Sequence, residues 1–558
     1  MRIRRGRYHI AGLVLAGCTM AGDAGTVHGG DVVGLRIEPD TLELSTRAGE
    51  PAAQTFAAVA TFGDGEEGAL DLVSWELSNA SVGTIDSRGN FTSVDTNGGE
   101  ATITATFLEN EATATLRVVH ASEYLADGVD SAVATAFADA GDGEATLSID
   151  YPLDGTTVPR NLEGLVVQWQ GTGAGEVQWL HFASTLESYD VYLSGQTQWE
   201  VPVEVWETVS ATNSRGSLEL QLRAATWDGS TLGDVRSSPP ISVTVNRFDA
   251  QGSVLYWSTS DTAVMRIEAG GGEVQRFWPK EQTGECLGCH EIAESRQWMV
   301  VTRDGIGGTY QTVDVAEGEA TRIIHDTDGE KRMTFHALSP DGKLILGILQ
   351  GDLVLYDLAA NTFIAQVTPD SGYYTHPAWS PDGTRVVATR ATGSVFSDMG
   401  LAGSEIVTMN FDGSRLTNVE TLIPAAAGTC YYYPSFSPDG DWIVFNRSTG
   451  DTYADDDAEV WLLSAAGGDP IRLDAANGTG SLRNSLARWA PLPDDDVLWL
   501  AFSSRRPIGV SAVSQSQIWI TAVDPALARA GMDPSSAPYW LPGQSTRSDN
   551  HLPVWWSQ

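Results

Sequence analysis

The sequence predicts an all-β protein, with two β-sandwich domains followed by a six-bladed β-propeller. Two observations lead to this prediction. Up to residue 247, apolar and polar residues alternate in short runs separated by Gly, Asn and Asp, which is the pattern of half-buried strands. Beyond residue 250, a short phrase recurs at the start of successive strand groups, and internal repeats are typical of propellers. We therefore expect helix to be nearly absent.

The recurring phrase is Ser-Pro-Asp-Gly, at residues 339–342, 380–383 and 437–440. Each copy precedes an apolar run. Proline presets φ at the second turn position, and glycine takes the positive φ that closes a bulged turn between antiparallel strands. Because each copy continues into further apolar runs, we predict that each belongs to a four-stranded blade.

Degenerate copies complete the ring. Residues 289–301 and 486–502 have the strand pattern of two more blades. The blade at 254–267 lacks an opening strand, and the C-terminal residues 552–556 have the form of one, so we expect the C-terminus to close the first blade. Residues 250–558 as a whole resemble the TolB-type six-bladed propeller. This resemblance implies the fold and leaves the activity open, because such propellers serve binding proteins and enzymes alike.

The first sandwich is predicted at residues 32–119. Its landmarks are Ile-Glu-Pro at 37–39, Val-Ser-Trp at 73–75, and Gly-Thr-Ile-Asp-Ser-Arg-Gly at 83–89. They resemble the bacterial Ig-like group 2 domain, which implies a spacer. Residues 120–145, rich in Ala, Asp and Gly, are predicted to be a linker with a short helix.

The second sandwich is predicted at residues 146–247. An early strand carrying Trp169 and an alternating strand at 241–245 resemble a fibronectin type III or Ig-like domain. Four further tryptophans either belong to its core or line a sugar-binding face: Trp179, Trp199, Trp206 and Trp227.

The N-terminus predicts export. Arginines precede a short apolar segment that ends at Leu15-Ala16-Gly17-Cys18, too short to span a bilayer permanently. Residues 1–17 resemble a bacterial lipoprotein signal peptide, which implies cleavage before Cys18 and a lipid anchor on its thiol. Because Thr19 rather than aspartate follows, the outer membrane is the expected destination, and residues 18–31 are expected to be a flexible tether.

The charge excludes one class of partner. The 33 basic and 73 acidic residues give a net charge of -40. Such a chain repels phosphate backbones, so we expect no binding to nucleic acid.

The segment Cys286-Leu-Gly-Cys289-His290 matches the attachment motif of c-type haem. The motif predicts thioether bonds from Cys286 and Cys289, with His290 as the proximal iron ligand. His336 begins the next blade and is the expected distal ligand, ahead of the alternatives His376, His551 and Met333.

Two alternatives to haem stay open. Cys286 and Cys289 could form a disulfide or a redox-active pair, or these cysteines could bind zinc together with His290 and Cys430. If Cys18 carries lipid, three cysteines remain, and an odd number does not pair fully.

The sequence contains no nucleophile elbow, zincin motif or phosphate-binding glycine loop, which argues against a hydrolase. We expect the histidines of the innermost strands to surround one propeller mouth, together with Cys430 and the tyrosines at 373–374 and 431–433. The predicted function is a binding or scaffolding lipoprotein that recognises protein or glycan at this mouth. The alternative is an electron carrier with covalently bound haem.

Overall fold

The computed structural model describes residues 31–283, 287–293, 298–303, 309–316, 319–326, 333–360, 362–392, 400–401, 403–491 and 497–557. Strands account for about 53% and helices for about 6%, so the predicted all-β class is confirmed. The predicted signal peptide, Cys18 and the tether up to residue 30 lie outside the described residues, and so does Cys286. In the described part of the chain, no helix is long and apolar enough to cross a bilayer.

The chain divides into two compact units. The first comprises Met1–Glu43, Ala52–Ser93 and Glu100–Leu116, and the second comprises Leu44–Pro51, Val94–Gly99 and Arg117–Gln558.

The first unit consists of short antiparallel sheets around a small apolar core. Its strands, some of which continue past its limits, are β1 (Val32–Glu38), β2 (Thr41–Arg47), β3 (Ala53–Thr55), β4 (Ala57–Phe62), β5 (Glu67–Leu70), β6 (Ser74–Leu77), β7 (Gly83–Ile85), β8 (Asn90–Ser93), β9 (Gly99–Phe107) and β10 (Asn110–Leu125). One sheet has the order β1-β4-β5, another has the order β3-β8-β7, and β6 pairs with β9. Phe56, Phe91 and Ile103 are fully buried and form the centre of this core.

The second unit begins with a β-sandwich. Its elements are β11 (Glu144–Ala145), β12 (Ser148–Tyr151), β13 (Thr156–Val158), β14 (Val166–Gln170), β15 (Glu176–Ala183), β16 (Glu187–Ser194), β17 (Gln198–Glu200), α2 (Val203–Thr212), β18 (Ser217–Thr226), β19 (Arg236–Ser237) and β20 (Ile241–Val245). Strands β12, β14 and β17 form one sheet, and β15, β16 and β18 are the centre of the other. Trp169, Trp199 and Trp206 are core residues, whereas Trp179 and Trp227 are only partly buried.

The predicted linker at 120–145 carries regular structure. Its first residues, 120–125, belong to β10 and pair in parallel with 187–192 of β16. Helix α1 (Ala132–Ala138) follows, and its Val133 and Phe137 pack in a buried cluster with Val177 and Tyr192 of the sandwich. Burial of these two apolar side chains gives the segment its order.

The propeller consists of six four-stranded sheets in the described residues. Blade 1 comprises β21 (Ser253–Ser258), β22 (Ala263–Glu268), β23 (Gln275–Pro279) and β44 (Asn550–Trp556); blade 2 comprises β24 (Leu287–Ile292), β25 (Trp298–Arg303), β26 (Tyr310–Ala316) and β27 (Glu319–Asp326). Blade 3 comprises β28 (His336–Leu338), β29 (Leu344–Leu349), β30 (Asp352–Asp357) and β31 (Thr362–Val367); blade 4 comprises β32 (Tyr373–Trp379), β33 (Arg385–Ala391), β34 (Ser404–Phe411) and β35 (Leu416–Ile423). Blade 5 comprises β36 (Cys430–Phe436), β37 (Trp442–Ser448), β38 (Glu459–Ser464) and β39 (Ile471–Arg472); blade 6 comprises β40 (Ser485–Trp489), β41 (Leu498–Ser504), β42 (Gln517–Val523) and β43 (Tyr539–Trp540). Short helices α3 (Lys280–Thr283), α4 (Asp474–Asn477) and α5 (Pro525–Arg529) lie in the connections.

The ring is closed by the C-terminal strand. Strand β44 pairs antiparallel with β21, with Val554 opposite Leu255, and supplies the strand that blade 1 lacks at its own start. The predicted closure is therefore confirmed.

The repeated phrase forms the expected turn. In blade 4, the backbone N–H of Gly383 donates to the Ser380 carbonyl at 2.9 Å, and Gly383 has a φ of 67°. The Ser380 hydroxyl also accepts from the Arg385 backbone N–H at 2.9 Å and donates to Asp382 at 2.5 Å. This network ties both ends of the turn together, which explains why Ser, Asp and Gly recur as a set.

Tryptophans join neighbouring blades. The indole N–H of Trp379 in blade 4 donates to the Ala337 carbonyl in blade 3 at 3.3 Å. Trp489 in blade 6 donates in the same way to Ser435 in blade 5 at 3.1 Å. Each ring fills the space between two inner strands and satisfies a carbonyl there.

The second sandwich and the propeller share one hydrophobic core, which includes residues of blades 1, 5 and 6. Tyr151 of β12 is central to it, because its hydroxyl accepts the backbone N–H of Trp540 at 3.1 Å and its ring packs edge-on against Trp519 at 6.2 Å. Nearby, the Gln168 side chain accepts the backbone N–H of Val510 at 3.0 Å. These contacts make the two domains one packed body.

We expect Tyr151→Phe to lower the free energy of unfolding by about 0.5–1.5 kcal/mol, because the partly buried Trp540 N–H loses its acceptor. Tyr151→Ala should cost about 3–5 kcal/mol, since it also leaves a cavity. Urea unfolding followed by circular dichroism measures both. Tyr431→Phe, a partly buried tyrosine in blade 5, is the control and should stay within about 0.5 kcal/mol. An unchanged transition in Tyr151→Ala would contradict the shared core.

Candidate functional site in the propeller channel

The innermost strands surround the central channel, and most of them carry a β-bulge at the same level. A non-glycine residue with positive φ occupies this bulge in four blades: His376 (46°), Tyr433 (49°), Leu486 (60°) and Leu552 (56°). This conformation costs about 1–2 kcal/mol for a residue with a Cβ. Its recurrence shows that the ring geometry requires it, because the bulge lets the inner strand turn side chains toward the axis.

The centre of the channel is filled by closely packed rings that are tilted against one another. The imidazole of His376 lies 4.1 Å from the ring of Phe335 and 3.9 Å from the ring of Tyr433, measured between centroids. The guanidinium of Arg488 lies over Tyr433 at 5.7 Å. Side chains from blades 3, 4, 5 and 6 thus meet at the axis and block passage through the propeller.

His290 and His336 lie at equivalent positions in blades 2 and 3, as the repeat alignment predicts. His290 pairs with Val301 and His336 with Gly347, each on the second strand of its blade. Both imidazoles are more than nine-tenths buried. Neither ring nitrogen of either histidine has a hydrogen-bond partner among the described residues, and the same holds for His376.

Burial keeps these histidines neutral. It lowers the pKa of His290 to about 3 and that of His336 to about 4, against small opposite effects of the Leu255 and Cys289 backbones. The pKa of His376 lies well below its ordinary value for the same reason. Desolvation disfavours an imidazolium in this environment.

The cavity between these side chains is small, about 20 Å³. This is room for about one water molecule. Its lining combines the histidines with apolar and charged groups from several blades: Cys289, His290, Glu291, Phe335, His336, His376, Pro377, Tyr433, Leu486, Arg488, Leu552, Pro553 and Val554.

The described residues do not fit a haem held between His290 and His336. A site for a ligand of that size needs about 300 Å³ or more. Cys289 is 9% exposed and its carbonyl accepts from the Thr302 hydroxyl at 3.4 Å, while Cys286 lies outside the described residues. The attachment of haem at Cys286 and Cys289 stays a prediction, and so does a disulfide between them.

Of the three alternative distal ligands, Met333 and His551 lie outside the lining of the channel cavity. Met333 packs between blades 2 and 3 with Ala293 and Tyr310. His551 is one residue before the bulge of blade 1, and its Nε2 lies 3.1 Å from the Tyr453 hydroxyl. Of the predicted alternatives, only His376 lines the channel cavity.

Cys430 lies at the start of β36, where its thiol donates to the Leu401 carbonyl at 3.2 Å. Burial raises the pKa of this thiol to about 11, so it is protonated at neutral pH. In the part of the chain that the structure describes, no three His, Cys, Asp or Glu side chains converge on a metal position.

A second cavity, of about 120 Å³, opens where the repeated turns meet; we call it the turn-side mouth. Equivalent prolines of four blades line it: Pro340, Pro381, Pro438 and Pro491. The inner strands contribute apolar side chains to its lining: Ile292, Leu338, Trp379, Phe436, Trp489, Val554 and Trp555. Ser380, Ser435 and Ser437 also line it, and most of its accessible surface is polar. Glu291 and Arg488 line both this mouth and the inner cavity, so they lie between the two.

Glu291 and Arg488 are the functional candidates that sequence reasoning missed. When the blades are aligned on the Ser-Pro-Asp-Gly turns and their degenerate copies, Glu291 and Arg488 occupy the position of Ala337, Ala378 and Ser435. A charged residue at a position that is otherwise small could have identified both as candidates from the sequence. Burial raises the pKa of Glu291 to about 7, and the positive charge of Arg488 opposes this rise. The expected aromatic mouth is different: Tyr373, Tyr374, Tyr432 and Tyr433 are buried in strands.

Comparisons with known proteins leave the family open. No family model matches the chain. An uncharacterized protein of Agrobacterium fabrum is 30% identical over 151 residues, which are 26% of this chain and 48% of that protein. The chain thus spans about half the length of this curated relative.

Solved structures with similar chains include a putative TolB from Agrobacterium tumefaciens, at 16% identity and a TM-score of 0.32, covering 54% of this chain and 96% of that one. A chain of a nidogen/laminin complex matches at 11% identity and a TM-score of 0.36, covering 54% and 97%. The dihydro-heme d1 dehydrogenase NirN matches at 14% identity and a TM-score of 0.31, covering 50% of this chain and 52% of that one. The six four-stranded sheets of the described residues by themselves show the propeller fold.

We expect His376→Phe to reduce the loss of stability in acid. As the pH falls below 6.5, the ordinary pKa of histidine, the unfolded chain binds a proton that folded His376 cannot bind, so stability falls with pH. Each such histidine contributes up to about 1.4 kcal/mol per pH unit. Removing it should lower the slope of unfolding free energy between pH 4 and 6.5 by about that amount.

Phenylalanine should fit at this position, because Tyr433 has the same backbone conformation in the next blade. Tyr433→Phe is the matched control, since a tyrosine does not titrate in acid, and it should leave the slope unchanged. An acid slope that is equal in His376→Phe and the wild type would show that His376 is not held neutral.

Proposed function

We propose that this chain is a cell-envelope lipoprotein whose β-propeller binds a protein partner at the turn-side mouth. The observation that carries the proposal is the contrast within the channel. Tightly packed rings fill its centre, while the mouth keeps a cavity of about 120 Å³ with a mostly polar lining that includes the two charged side chains Glu291 and Arg488. A concave site with convergent polar and charged groups can fix the orientation of a bound group and select it.

The chemistry of the mouth favours protein over glycan. Sugars bind to the exposed faces of aromatic rings, but Trp379, Trp489 and Trp555 are only 6–8% exposed and stand between blades. The rim consists of proline-containing turns, which keep their shape without a ligand. A rigid rim, a polar lining and a charged base suit a partner segment that carries a polar or charged group at its tip.

The envelope location rests on the sequence alone, on the N-terminal arginines and the segment ending at Cys18. Lipid on this thiol would hold the folded body at a membrane surface. The acidic net charge of -40 supports a protein partner with basic groups, which such a body attracts at long range.

We expect Glu291→Gln to weaken binding of a partner with a basic tip at least about tenfold, equivalent to about 1.4 kcal/mol. Arg488→Ala removes a positive charge from the same lining and should strengthen binding of such a partner. The measurement is quantitative capture of envelope proteins by the full chain, followed by titration of the captured partner. Arg447→Ala is the matched control: Arg447 is a partly exposed arginine over Trp461 in blade 5, and it does not line the mouth. Unfolding curves must show that each variant is folded.

The affinity should also depend on pH. Because burial raises the pKa of Glu291 to about 7, its carboxylate becomes charged as the pH rises through that value. A partner with a basic tip should bind more tightly at pH 8 than at pH 6, and Glu291→Gln should remove the difference. Equal capture by wild type, Arg488→Ala and Glu291→Gln would refute binding at this mouth.

The second candidate function is electron transfer by a haem attached through Cys286 and Cys289, with His290 as proximal ligand. One observation favours a ligand here, because the ring nitrogens of His290 and His336 are buried and unpartnered within the described residues. The closed channel opposes it, since a macrocycle does not fit between these two histidines.

A covalent haem predicts a red protein after co-expression with the attachment machinery, with colour that persists after denaturation and acid-acetone extraction. Cys286→Ala should abolish this colour. His336→Phe should leave the absorbance spectrum unchanged, because His336 faces the closed cavity. A colourless wild type with Cys286 and Cys289 joined, as seen by mass spectrometry, would exclude the haem and leave a disulfide.

A further inference from the structure

The second unit contains a serine, a histidine and a glutamate in line, outside the propeller. The Ser122 hydroxyl lies 3.2 Å from Nε2 of His120, and Nδ1 of His120 lies 2.9 Å from a carboxylate oxygen of Glu187. A nucleophile bonded to a base that is itself held by a third group is the geometry of Ser-His-acid catalysis. Such a triad is recognised by its distances and roles rather than by its order in the chain.

Strand pairing explains how these residues meet. His120 and Ser122 are two positions apart on β10, so both side chains project from the same face of the sheet. The parallel pairing of β10 with β16 sets Glu187 directly beside His120. Because 67 positions separate the two residues, only the tertiary structure brings the carboxylate to the imidazole.

Burial is graded along the triad. The side chains of His120 and Glu187 are 2% and 0% exposed, whereas Ser122 is only partly buried. The carboxylate oxygen of Glu187 that does not contact His120 has no hydrogen-bond partner among the described residues. A buried, under-satisfied carboxylate stabilises positive charge on its neighbour, which is the role of the acid in a triad when the histidine accepts a proton.

Ser122 faces a cavity of about 250 Å³. The cavity is lined by Arg47, Ala48, Glu50, Ala121, Ser122, Glu123 and Asp190. This volume is below the usual range for drug-sized ligands, so a small substrate is required. The lining carries one basic side chain, Arg47, together with the carboxylates of Glu50, Glu123 and Asp190.

We propose that Ser122 is the nucleophile of an esterase site for short-chain acyl esters, with His120 as general base and Glu187 as the residue that orients it. The Ser122 oxygen bonds to the ester carbonyl carbon while its proton passes to Nε2 of His120. The tetrahedral intermediate expels the alcohol, which takes that proton, and leaves an acyl group on Ser122. Water then attacks the acyl carbon, His120 again accepts and returns the proton, and the carboxylic acid departs.

The first test is labelling of the full-length protein with a fluorophosphonate, followed by peptide mapping. We expect one adduct, on Ser122. Ser122→Ala should abolish it, and His120→Gln should slow it about 100-fold or more, the usual contribution of a general base. Ser217→Ala is the matched control, because Ser217 lies in the same sandwich and bonds to Ser242 at 2.6 Å without a histidine.

The second test is hydrolysis of p-nitrophenyl acetate and p-nitrophenyl octanoate. The small cavity predicts faster turnover of the acetate, with loss of both activities in Ser122→Ala. This variant keeps the His120–Glu187 pair, so it should remain folded, as unfolding curves can verify. Absence of a Ser122 adduct, labelling that His120→Gln leaves unchanged, or acetate hydrolysis that Ser122→Ala leaves intact would each overturn the proposal.

Discussion

The pairing of β44 with β21 is the constraint on which the propeller depends. Blade 1 lacks an inner strand of its own, so the channel is complete only when the C-terminal residues join it. Leu552, Pro553 and Val554 of this strand then line the inner cavity beside blades 2 and 6. Ring closure therefore holds the six blades together and also determines which side chains meet at the axis.

The axis itself is packed as a core. His376 between Phe335 and Tyr433 contributes ring area more than basicity, because burial keeps it uncharged. Histidine, which in a sequence suggests a ligand or a catalytic residue, here serves for packing. The charged side chains of the channel, Glu291 and Arg488, lie closer to its end, where they border the turn-side mouth.

The two proposed activities of the second unit rest on different parts of it. Binding uses the propeller mouth, whereas the esterase site uses the parallel pairing of β10 with β16 in the sandwich. Tyr151 and Gln168 join the sandwich to blade 6 through one core, so both sites belong to a single packed body. Each site can nonetheless be tested alone, because they share no residue.

The sequence by itself determined the features that depend on neighbouring residues. Three local patterns were sufficient to predict six blades and their closure. They are the Ser-Pro-Asp-Gly turns, the apolar and polar alternation of the strands, and the strand-like residues 552–556 at the C-terminus. The equal level of His290 and His336 followed from the repeat for the same reason. Tertiary structure alone decided that packed rings fill the channel centre, that α1 packs on the sandwich, and that Glu187 lies beside His120. These outcomes depend on side chains far apart in the chain meeting in a confined space, and no local pattern records that space.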